Sequence, residues 1–384
     1  MRILVVHNYY QHKGGEDVVF HQEVEALKKD HHVETITFQN KKGIEGLIQF
    51  VLYPWNIFAA NKILQKAREF SADIIHIHNL HYALGPLAIR KLHQAGFKTV
   101  QTLHNFRLIC PSAKLLLDNK IFTDSIKEDF PWTAIKNKAL DNSLLKTFLT
   151  GFTYWLHKKI GTWASVSRFI VLTNFNRQLF IKANLNILSS KFKVKENFVE
   201  FDISPQTTRE DYYLFVGRLS YEKGVEQLIS AFLNNSKKLK LIGTGPLSET
   251  IKHRISNSLN ITLLGELPKE EVYYYLTRCK ALIIPSICYE GGVPLTIKEG
   301  IATKTPILAS NVGSIPELVI PDVTGWLFDP YVSKNIQDTI QNFENSDLRI
   351  DIVEQAYQKF LDTFTKERTI AKLEHIYQEV LDEN

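Results

Sequence analysis

The chain has 384 residues, of which 44% are hydrophobic and 23% charged, and its formal net charge is +5 at pH 7. One hydrophobic core rarely organises this many residues, so two domains are expected. The three cysteines, Cys110, Cys279 and Cys288, have neither a CxxC nor a metal-ligand spacing, which argues against a disulfide framework and predicts a cytoplasmic protein. The apolar start is too short for a signal peptide, and no run has the apolar length of a membrane-spanning helix. The longest uncharged run, residues 47–61, is expected to pack in a core or an interface.

Strand and helix signals alternate along the whole chain, which predicts parallel sheets with crossover helices. The predicted strands of the first half are 2–7, 33–38, 74–78, 99–103 and 169–172, and those of the second half are 213–216, 239–242, 261–264, 281–284 and 307–309. Each set predicts one Rossmann-like sheet, and the cleft between two such domains is the expected active site. Residues 199–208, polar and interrupted by Pro205 after an apolar start, are the predicted linker.

Positive charge is concentrated in the first half, above all in residues 127–195. This region holds 12 basic and 3 acidic side chains, interleaved with Trp132, Phe148, Phe152, Tyr154, Trp155 and Trp163. A basic surface with aromatic anchors is typical of proteins that rest on an anionic membrane. The alternative is a solvated helical face whose aromatic side chains belong to the core. Nucleic acid is not an expected partner, because no recognised nucleic-acid module accompanies the charge.

A glycine-bearing turn between two glutamates follows the predicted strand 281–284. Glu290 precedes Gly291 and Gly292, and Glu299 lies on the predicted helix 296–303. Ligands of open α/β sheets bind at the carboxyl ends of the strands, where this turn is expected. Main-chain amides at a helix start suit an anionic or polyhydroxylated ligand, and carboxylates accept hydrogen bonds from sugar hydroxyls. The pattern predicts a nucleotide-sugar site.

Two cations follow the first strand of the second half. Arg218 is expected at the end of strand 213–216, and Lys223 at the start of the next helix. Negative charge accumulates on a diphosphate leaving group as the glycosidic bond breaks, and cations stabilise it. Taken alone, each is more often a solvated loop charge, but the motifs that accompany the two cations favour a functional role. Gly243 and Gly245, after the next strand, permit close approach of the backbone to a ligand.

In order and spacing, these motifs resemble those of the family-4 retaining glycosyltransferases, of the kind that builds bacterial surface polysaccharides. The resemblance covers nearly the whole chain and implies the α/β GT-B fold, with two Rossmann-like domains facing each other across a cleft. It implies domains at 1–204 and 205–364, with the helix 365–384 packing back on the first. The segments that carry it are Gly14-Gly15-Glu16, Ile75-His76-Ile77-His78-Asn79, Thr102-Leu103-His104-Asn105, Cys110-Pro111, Val216-Gly217-Arg218, Lys223-Gly224, Gly243-Thr244-Gly245-Pro246, Leu264-Gly265, Pro285-Ser286, Glu290, Glu299 and Asn311-Val312-Gly313-Ser314-Ile315-Pro316-Glu317.

The resemblance also implies a role for each matching residue. Arg218 and Lys223 match the pair that binds the donor diphosphate. Glu299 matches the acid that holds the ribose hydroxyls, and Glu290 the acid that faces the transferred hexose. His104 matches a histidine near the hexose, although a satisfied histidine at a strand end is the alternative. The remaining donor-binding positions are Gly15, Gly217, Gly243, Gly245, Gly265, Gly291, Gly292, Val293, Pro294 and Leu295.

The implied reaction moves a hexose, with retention, from a UDP- or GDP-linked sugar to a hydroxyl of a saccharide or lipid-linked acceptor. The departing phosphate oxygen is available as the base, so the resemblance implies no dedicated protein base. The chain has no Asp-x-Asp motif, so neither a metal nor a cofactor is expected. His76, His78 and His81 mimic a metal cluster, but the first two share one face of a strand, where packing is expected.

One spacing departs from the family. Residues 291–298 place eight residues between Glu290 and Glu299, one more than the family usually has. Either a glycine of this loop bulges out and leaves both carboxylates on the ligand, or Glu290 is displaced and selectivity or activity differs. The second case would be a non-catalytic nucleotide-sugar-binding partner of a glycosyltransferase. A nucleotide-sugar epimerase shares the architecture and is the other alternative.

Overall fold

The computed structural model describes residues 1–11, 14–200, 208–233 and 235–383, which form two compact units. Met1–Leu115, Phe122–Asn197 and Lys366–Asn384 make up the first unit, and Leu116–Ile121 with Phe198–Thr365 make up the second. The second unit therefore begins before the predicted boundary at residue 205. The reason is that Phe198 and Val199 are buried, and Val199 packs in a core of the second unit. Residues 201–207 of the predicted linker lie outside the described residues.

The first unit is built on a parallel sheet. The strands of residues 1–200 are β1 (Arg2–Tyr9), β2 (His32–Gln39), β3 (Ile74–Ile77), β4 (Lys98–Leu103), β5 (Leu116–Leu117), β6 (Lys120–Ile121), β7 (Arg168–Val171) and β8 (Phe192–Val194). Six of them form the parallel sheet in the order β2-β1-β3-β4-β7-β8, whereas β5 and β6 form an antiparallel hairpin. All four residues of β3 are buried, as expected for a central strand covered on both faces.

The second unit has its own parallel sheet. Its strands are β9 (Tyr213–Val216), β10 (Leu239–Ile242), β11 (Ile261–Gly265), β12 (Ala281–Ile284), β13 (Ile307–Ser310) and β14 (Trp326–Phe328), in the order β11-β10-β9-β12-β13-β14. Successive side chains of β9 enter different cores, with Tyr213 and Phe215 on one face of the sheet and Leu214 on the other. The prediction of an α/β fold with two parallel sheets is confirmed.

Helices connect the strands in both units. The α-helices are α1 (Gly15–Leu27), α2 (Gly43–Leu52), α3 (Ile57–Phe70), α4 (Leu87–Gln94), α5 (Asp124–Lys127), α6 (Trp132–Lys136), α7 (Leu144–Lys159), α8 (Asn174–Lys182), α9 (Val225–Leu233), α10 (Ser248–Arg254), α11 (Lys269–Arg278), α12 (Leu295–Ala302), α13 (Ser333–Asn345), α14 (Arg349–Thr363) and α15 (Lys366–Asp382). Short 3-10 turns are Tyr53–Trp55, Trp163–Ser165, Ser189–Lys191, Tyr221–Lys223 and Ile315–Glu317.

The strand order of each sheet creates a crevice at one point. In the first sheet β1 lies beside β3, and in the second β9 lies beside β12. At such a point the connections on either side run over opposite faces, which leaves a crevice at the carboxyl ends of the two strands. The loops after β1 and β3 border the crevice of the first unit, and the loops after β9 and β12 border that of the second.

The last helix, α15, lies in the first unit. Its apolar positions Ile370, Leu373, Ile376 and Val380 are buried. The Tyr377 hydroxyl lies 2.7 Å from Nδ1 of His76 on β3, inside the same unit. Because α15 is fastened to a central strand by a buried hydrogen bond, it is an integral part of this unit.

Candidate functional site

The loops after β9 and β12 meet at the switch point of the second sheet. Gly224 has a φ of 67°, and a Cβ built on it would stand 1.8 Å from the Pro285 carbonyl oxygen. The Ile287 amide donates a hydrogen bond to the Glu222 carbonyl at 3.0 Å. Any side chain at residue 224 would force these loops apart, so glycine is required there. The close approach holds the loop after β9 against the loop that carries Glu290.

Lys223 and Glu290 form an ion pair at this junction. The sequence predicted that Lys223 begins the next helix. In the structure it instead ends the 3-10 turn Tyr221–Lys223. Its Nζ lies 2.6 Å from Oε1 of Glu290, and the Ser286 hydroxyl donates to the same oxygen at 2.8 Å. Burial opposes the charge of the ammonium, but the Glu290 carboxylate, together with the nearby Cys288 and Glu222, outweighs burial and raises the pKa of Lys223. The additional residue of the 291–298 loop therefore does not separate Glu290 from Lys223.

Arg218 lies just beyond β9 in the same loop and is exposed. Within the described ranges of the chain, its guanidinium forms no hydrogen bond or ion pair with another side chain. An arginine presents five N–H donors in a fixed plane, which suits a phosphate group. Lys223 is thus held by a carboxylate, whereas the side chain of Arg218 is exposed to solvent.

The two glycines after β10 serve the neighbouring backbone. A Cβ on Gly243 would stand 2.0 Å from the Gly217 carbonyl oxygen, and a Cβ on Gly245 2.4 Å from that of Leu219. The Leu219 amide also donates to the Thr244 carbonyl at 3.0 Å. Sequence reasoning attributed these glycines to close approach of a ligand; the close approach in the structure is to the loop after β9. They shape the loop that carries Arg218.

The start of α12 combines buried and accessible positions. Val293 is buried in the core, Pro294 caps the helix and Leu295 is its first residue, while Gly291 and Gly292 are half-buried. Gly265, at the end of β11, has a φ of 76° and accepts a hydrogen bond from the Gly243 amide at 2.7 Å. These positions lie at or near the carboxyl ends of β11 and β12, the edge at which a ligand is expected.

Glu299 has surroundings unlike those of Glu290. It lies on α12, with the Tyr273 hydroxyl of α11 at 3.5 Å from its Oε1. Burial raises the pKa of Glu299, although Lys269 and Tyr273 both favour the carboxylate. Sequence reasoning did not identify Tyr273 or Lys269. Glu290 therefore neutralises the Lys223 ammonium, whereas Glu299 lies beside the Tyr273 hydroxyl.

In the first unit, Asp17 fixes the glycine turn. Its Oδ1 lies 2.8 Å from Nε2 of the buried His7 on β1, and its Oδ2 accepts from the Gly14 amide at 2.9 Å. Gly15 begins α1, is exposed, and has no atom within 4 Å of the position a Cβ would take. Because the first amides of a helix lack partners within the helix, this turn offers donors to a ligand.

Glu16, the next residue, belongs to a segment that carries the family resemblance, but no role was predicted for it from the sequence. The Asn79 side-chain amide donates to its Oε1 at 3.1 Å. Burial, followed by the charge of Asp17, raises the pKa of Glu16 to about 8, although Arg107 and a hydrogen bond from Asn105 favour the carboxylate. Its surroundings therefore favour the protonated carboxyl group, which is able to donate a hydrogen bond.

His104 follows β4 and lines a cavity of about 30 Å³ in the first unit. Its Nε2 lies 3.0 Å from Nδ1 of His78, and the two rings are stacked. Burial, then the neighbouring His7 and Lys195, lower the pKa of His104 to about 3. The imidazole is neutral at neutral pH. The remaining side of the cavity is lined by Asn79, Leu80, Gln101, Thr102, Leu103, Asn105, Arg107, Leu108 and Tyr154.

One group of side chains has the composition of a metal site. Donor atoms of Glu23, His76 and His78 lie within 4.8 Å of one another, and all three residues are buried. Both ring nitrogens of His76 already have partners, Thr102 at 2.7 Å and Tyr377 at 2.7 Å. The ammonium of Lys195 is ion-paired with Glu23. His76 is therefore engaged by protein groups at both ring nitrogens, and the Lys195 ammonium supplies a positive charge beside Glu23.

In the basic region 127–195, one of the aromatic side chains expected on the surface is buried, and some of the lysines are ion-paired. Trp163, one of its predicted membrane anchors, is 1% exposed because its ring stacks on Tyr154 and its N–H bonds the Tyr154 carbonyl. That tryptophan belongs to the core, so the prediction that it anchors the protein on a membrane is wrong. Trp132 and Phe148 do lie on the surface. Two of the basic side chains, Lys158 and Lys159, are ion-paired with Asp129 at 3.1 and 2.8 Å.

Comparison with known proteins identifies the second unit. Residues 197–359 match the family described as Glycosyl transferases group 1. The chain carries a group 1 glycosyltransferase domain. One relative, the uncharacterized glycosyltransferase MJ1178 of Methanocaldococcus jannaschii, is 30% identical over 175 residues, which is 45% of this chain and 49% of that protein. The amylovoran biosynthesis glycosyltransferase AmsK of Erwinia amylovora is 27% identical over 285 residues, 71% of this chain and 60% of that protein.

A solved structure extends the similarity over the whole chain. Alr3699/HepE of Anabaena, crystallised with UDP and glucose, has a TM-score of 0.68 at 15% identity, covering 99% of this chain and 100% of that one. This likeness concerns the fold, and with the two parallel sheets it confirms the predicted GT-B glycosyltransferase fold. The chain spans about half the length of the first curated relatives that it matches. Several relatives are glycosyltransferases of polysaccharide biosynthesis.

Proposed function

We propose that this glycosyltransferase moves a hexose, with retention, from a UDP- or GDP-linked sugar to an acceptor hydroxyl. The observation that carries the proposal is the cationic pair at the β9–β12 switch point, where Arg218 is exposed and Lys223 is held 2.6 Å from Glu290. Cations at the carboxyl end of these strands would stabilise the charge of a departing diphosphate. Glu299 would hold the ribose hydroxyls, and the transferred hexose would lie near Glu290.

Charge stabilisation by Arg218 and Lys223 makes a metal-independent reaction the natural proposal. Retention is proposed to follow attack of the acceptor hydroxyl on the face that the nucleotide leaves, with the departing phosphate oxygen taking the proton. The acceptor is proposed to be a saccharide or a lipid-linked saccharide of a surface polysaccharide. Relatives named for polysaccharide synthesis, and the UDP bound to the Anabaena protein, support the choice of substrates.

A screen of nucleotide sugars would test the function directly. We expect one UDP- or GDP-sugar to raise the melting temperature of the purified protein, because a ligand that binds only the native state stabilises it by mass action. At about 100 times its Kd, such a ligand contributes roughly 2.7 kcal/mol. Release of free nucleotide in the presence of an acceptor would indicate transfer. Binding without any turnover of the donor would instead support the non-catalytic alternative, and an epimerised donor would support the epimerase.

We also propose that the first unit works on the inner face of the cell membrane, in the cytoplasm. The basic side chains of region 127–195 have an apolar neighbour, the exposed face of α2 and the segment after it. Ile44, Leu47, Ile48 and Val51 are 53–80% exposed at helical spacing, and they are followed by the exposed Trp55, Ile57 and Phe58. Trp55 stacks on His157 of α7, which joins the two surfaces. Residues 47–61, expected to pack in a core or interface, therefore provide surface as well as core.

An apolar stripe beside lysines is suited to an anionic bilayer surface. Each basic side chain near such a surface contributes on the order of 1 kcal/mol. A helix long and apolar enough to cross a membrane was not found among the residues that the structure describes. We propose a peripheral contact, with apolar side chains of α2 entering the headgroup region and lysines of α6 and α7 close to the phosphates.

Co-sedimentation with liposomes would test the membrane contact. We expect binding to anionic vesicles that weakens as salt rises, because charges are screened over roughly 8 Å at physiological ionic strength. Neutralising Lys136, Lys138, Lys158 and Lys159 together should reduce this binding severalfold. As a control, neutralising two exposed lysines of the second unit, Lys252 and Lys334, should leave the binding unchanged. Equal sedimentation with anionic and neutral lipid would contradict the electrostatic part of the proposal.

A further inference from the structure

Four side chains of the first unit form a continuous line of contacts that ends at His104. Lys195 and Glu23 form a buried ion pair, in which the Lys195 side chain is 0% exposed and the Glu23 side chain 1% exposed. The second oxygen of Glu23, Oε2, lies 3.5 Å from Nε2 of His78. Nδ1 of His78 lies 3.0 Å from Nε2 of His104. The line connects a fixed pair of charges in the interior with a histidine that borders a cavity.

The protons of this line have one consistent arrangement. Oε2 of Glu23 and Nε2 of His78 are buried, and in the described part of the chain neither has a hydrogen-bond partner, so each is the nearest candidate for the other. A carboxylate can only accept, which requires the proton on Nε2 of His78. Burial keeps the pKa of His78 well below its usual range, so the ring is neutral and carries a single N–H. Its Nδ1 must then accept, and Nε2 of His104 must donate.

We propose that Glu23, acting through His78, sets the tautomer of His104, so that His104 offers the lone pair of Nδ1 to a sugar hydroxyl. Glu23, His78 and Lys195 are positioning residues in this arrangement, and only His104 faces a ligand. A lone pair held in this way accepts from a hydroxyl, but gives a phosphate or carboxylate oxygen no donor. The meeting of His104 with a sugar rests on the proposed function, whereas its tautomer does not.

Nitrogen NMR of the protein labelled with ¹⁵N-histidine would test the tautomer without any substrate. Protonated and unprotonated ring nitrogens resonate far apart, and His78→Asn and His104→Asn variants would assign the signals. At neutral pH we expect both His78 and His104 to carry the proton on Nε2. A proton on Nδ1 of His104, or a mixture of the two tautomers, would overturn the proposal.

The variant Glu23→Gln offers a sharper test, because it should reverse the direction of the hydrogen bonds along this line of side chains. Lys195 only donates, so it will take the amide oxygen of the glutamine and leave the NH₂ group facing Nε2 of His78. That nitrogen must now accept, and both histidines are expected to move their proton to Nδ1. Unchanged Nε2–H tautomers in a folded Glu23→Gln protein would refute the inference.

A matched control is available in the same unit. Glu374→Gln removes a carboxylate that lies 2.8 Å from Nε2 of His31, and it should leave the His104 signals unchanged. If Glu23→Gln does not fold, the wild-type spectrum still decides the question. The NMR experiments contain neither the nucleotide-sugar nor the acceptor substrate. Failure of the proposed function would therefore leave the tautomer result intact, and a different tautomer would leave the proposed function intact.

Discussion

Replacing Lys223 by alanine is expected to lower turnover of the nucleotide-sugar by about 100-fold or more, the scale of a lost charge contact in a transition state. The ammonium lies at the β9–β12 switch point and is kept charged by Glu290. Arg218→Ala should have an effect of similar size, because its guanidinium is exposed beside the same strand end. Steady-state release of nucleotide, measured with saturating acceptor, gives both values.

The interpretation of these variants depends on folding and on a matched control. Lys252→Ala removes an exposed lysine from α10 of the same unit and should retain wild-type turnover. Melting temperatures should show that Arg218→Ala folds normally, since this exposed side chain forms no hydrogen bond or ion pair with another side chain in the described ranges. Near wild-type turnover of either variant would remove that residue from the mechanism.

Substitutions of the two glutamates are expected to separate sugar transfer from nucleotide binding. Glu299→Ala should weaken nucleotide binding by about 10- to 100-fold, the equivalent of roughly 1.5–3 kcal/mol for a charged hydrogen bond. Glu290→Ala should leave the nucleotide bound and lower transfer by about 100-fold, because it removes the carboxylate that is paired with Lys223 and that we propose to face the hexose. Calorimetry with the nucleoside diphosphate and single-turnover transfer measure the two effects separately.

Glu290→Gln provides the control for the ion pair. The amide keeps the size of the side chain and an oxygen for Lys223 and Ser286, so a residual effect reports the lost charge. Glu249→Gln, at an exposed glutamate of α10 outside the β9–β12 junction, should behave like wild type in both assays. Small and equal effects of Glu290→Ala and Glu299→Ala would favour a non-catalytic nucleotide-sugar-binding protein.

The elements of the fold were accessible from sequence to a large extent. All ten predicted strands exist within two residues of their predicted bounds, and three of them, β9, β10 and β12, agree at both ends. Buried parallel strands are short apolar runs between polar turns, a pattern that is local in sequence. The strands that were not predicted, β5, β6, β8 and β14, have only two or three residues, too few for a periodic pattern.

The location of the site was also accessible, because the ends of parallel strands can be read in order. The loops that contain Arg218, Lys223 and Glu290, and the helix that carries Glu299, were expected at one edge of a sheet, and β9 and β12 do lie side by side. The partners within that edge were not accessible. Lys223 and Glu290 are 67 positions apart, and no local pattern indicates that one neutralises the other.

By itself, the sequence determined which segments form strands and helices, since apolar periodicity is a local property of the chain. Only the tertiary structure decided which charged and aromatic side chains face the interior. Glu23 and Lys195 are 172 positions apart and meet in a buried ion pair, Trp163 is buried, and the apolar side chains of α2 face outwards. Burial depends on contacts between distant elements, and composition cannot distinguish a core aromatic from an exposed one. The arrangement of charges around His104 follows from that burial, and with it the tautomer proposed here.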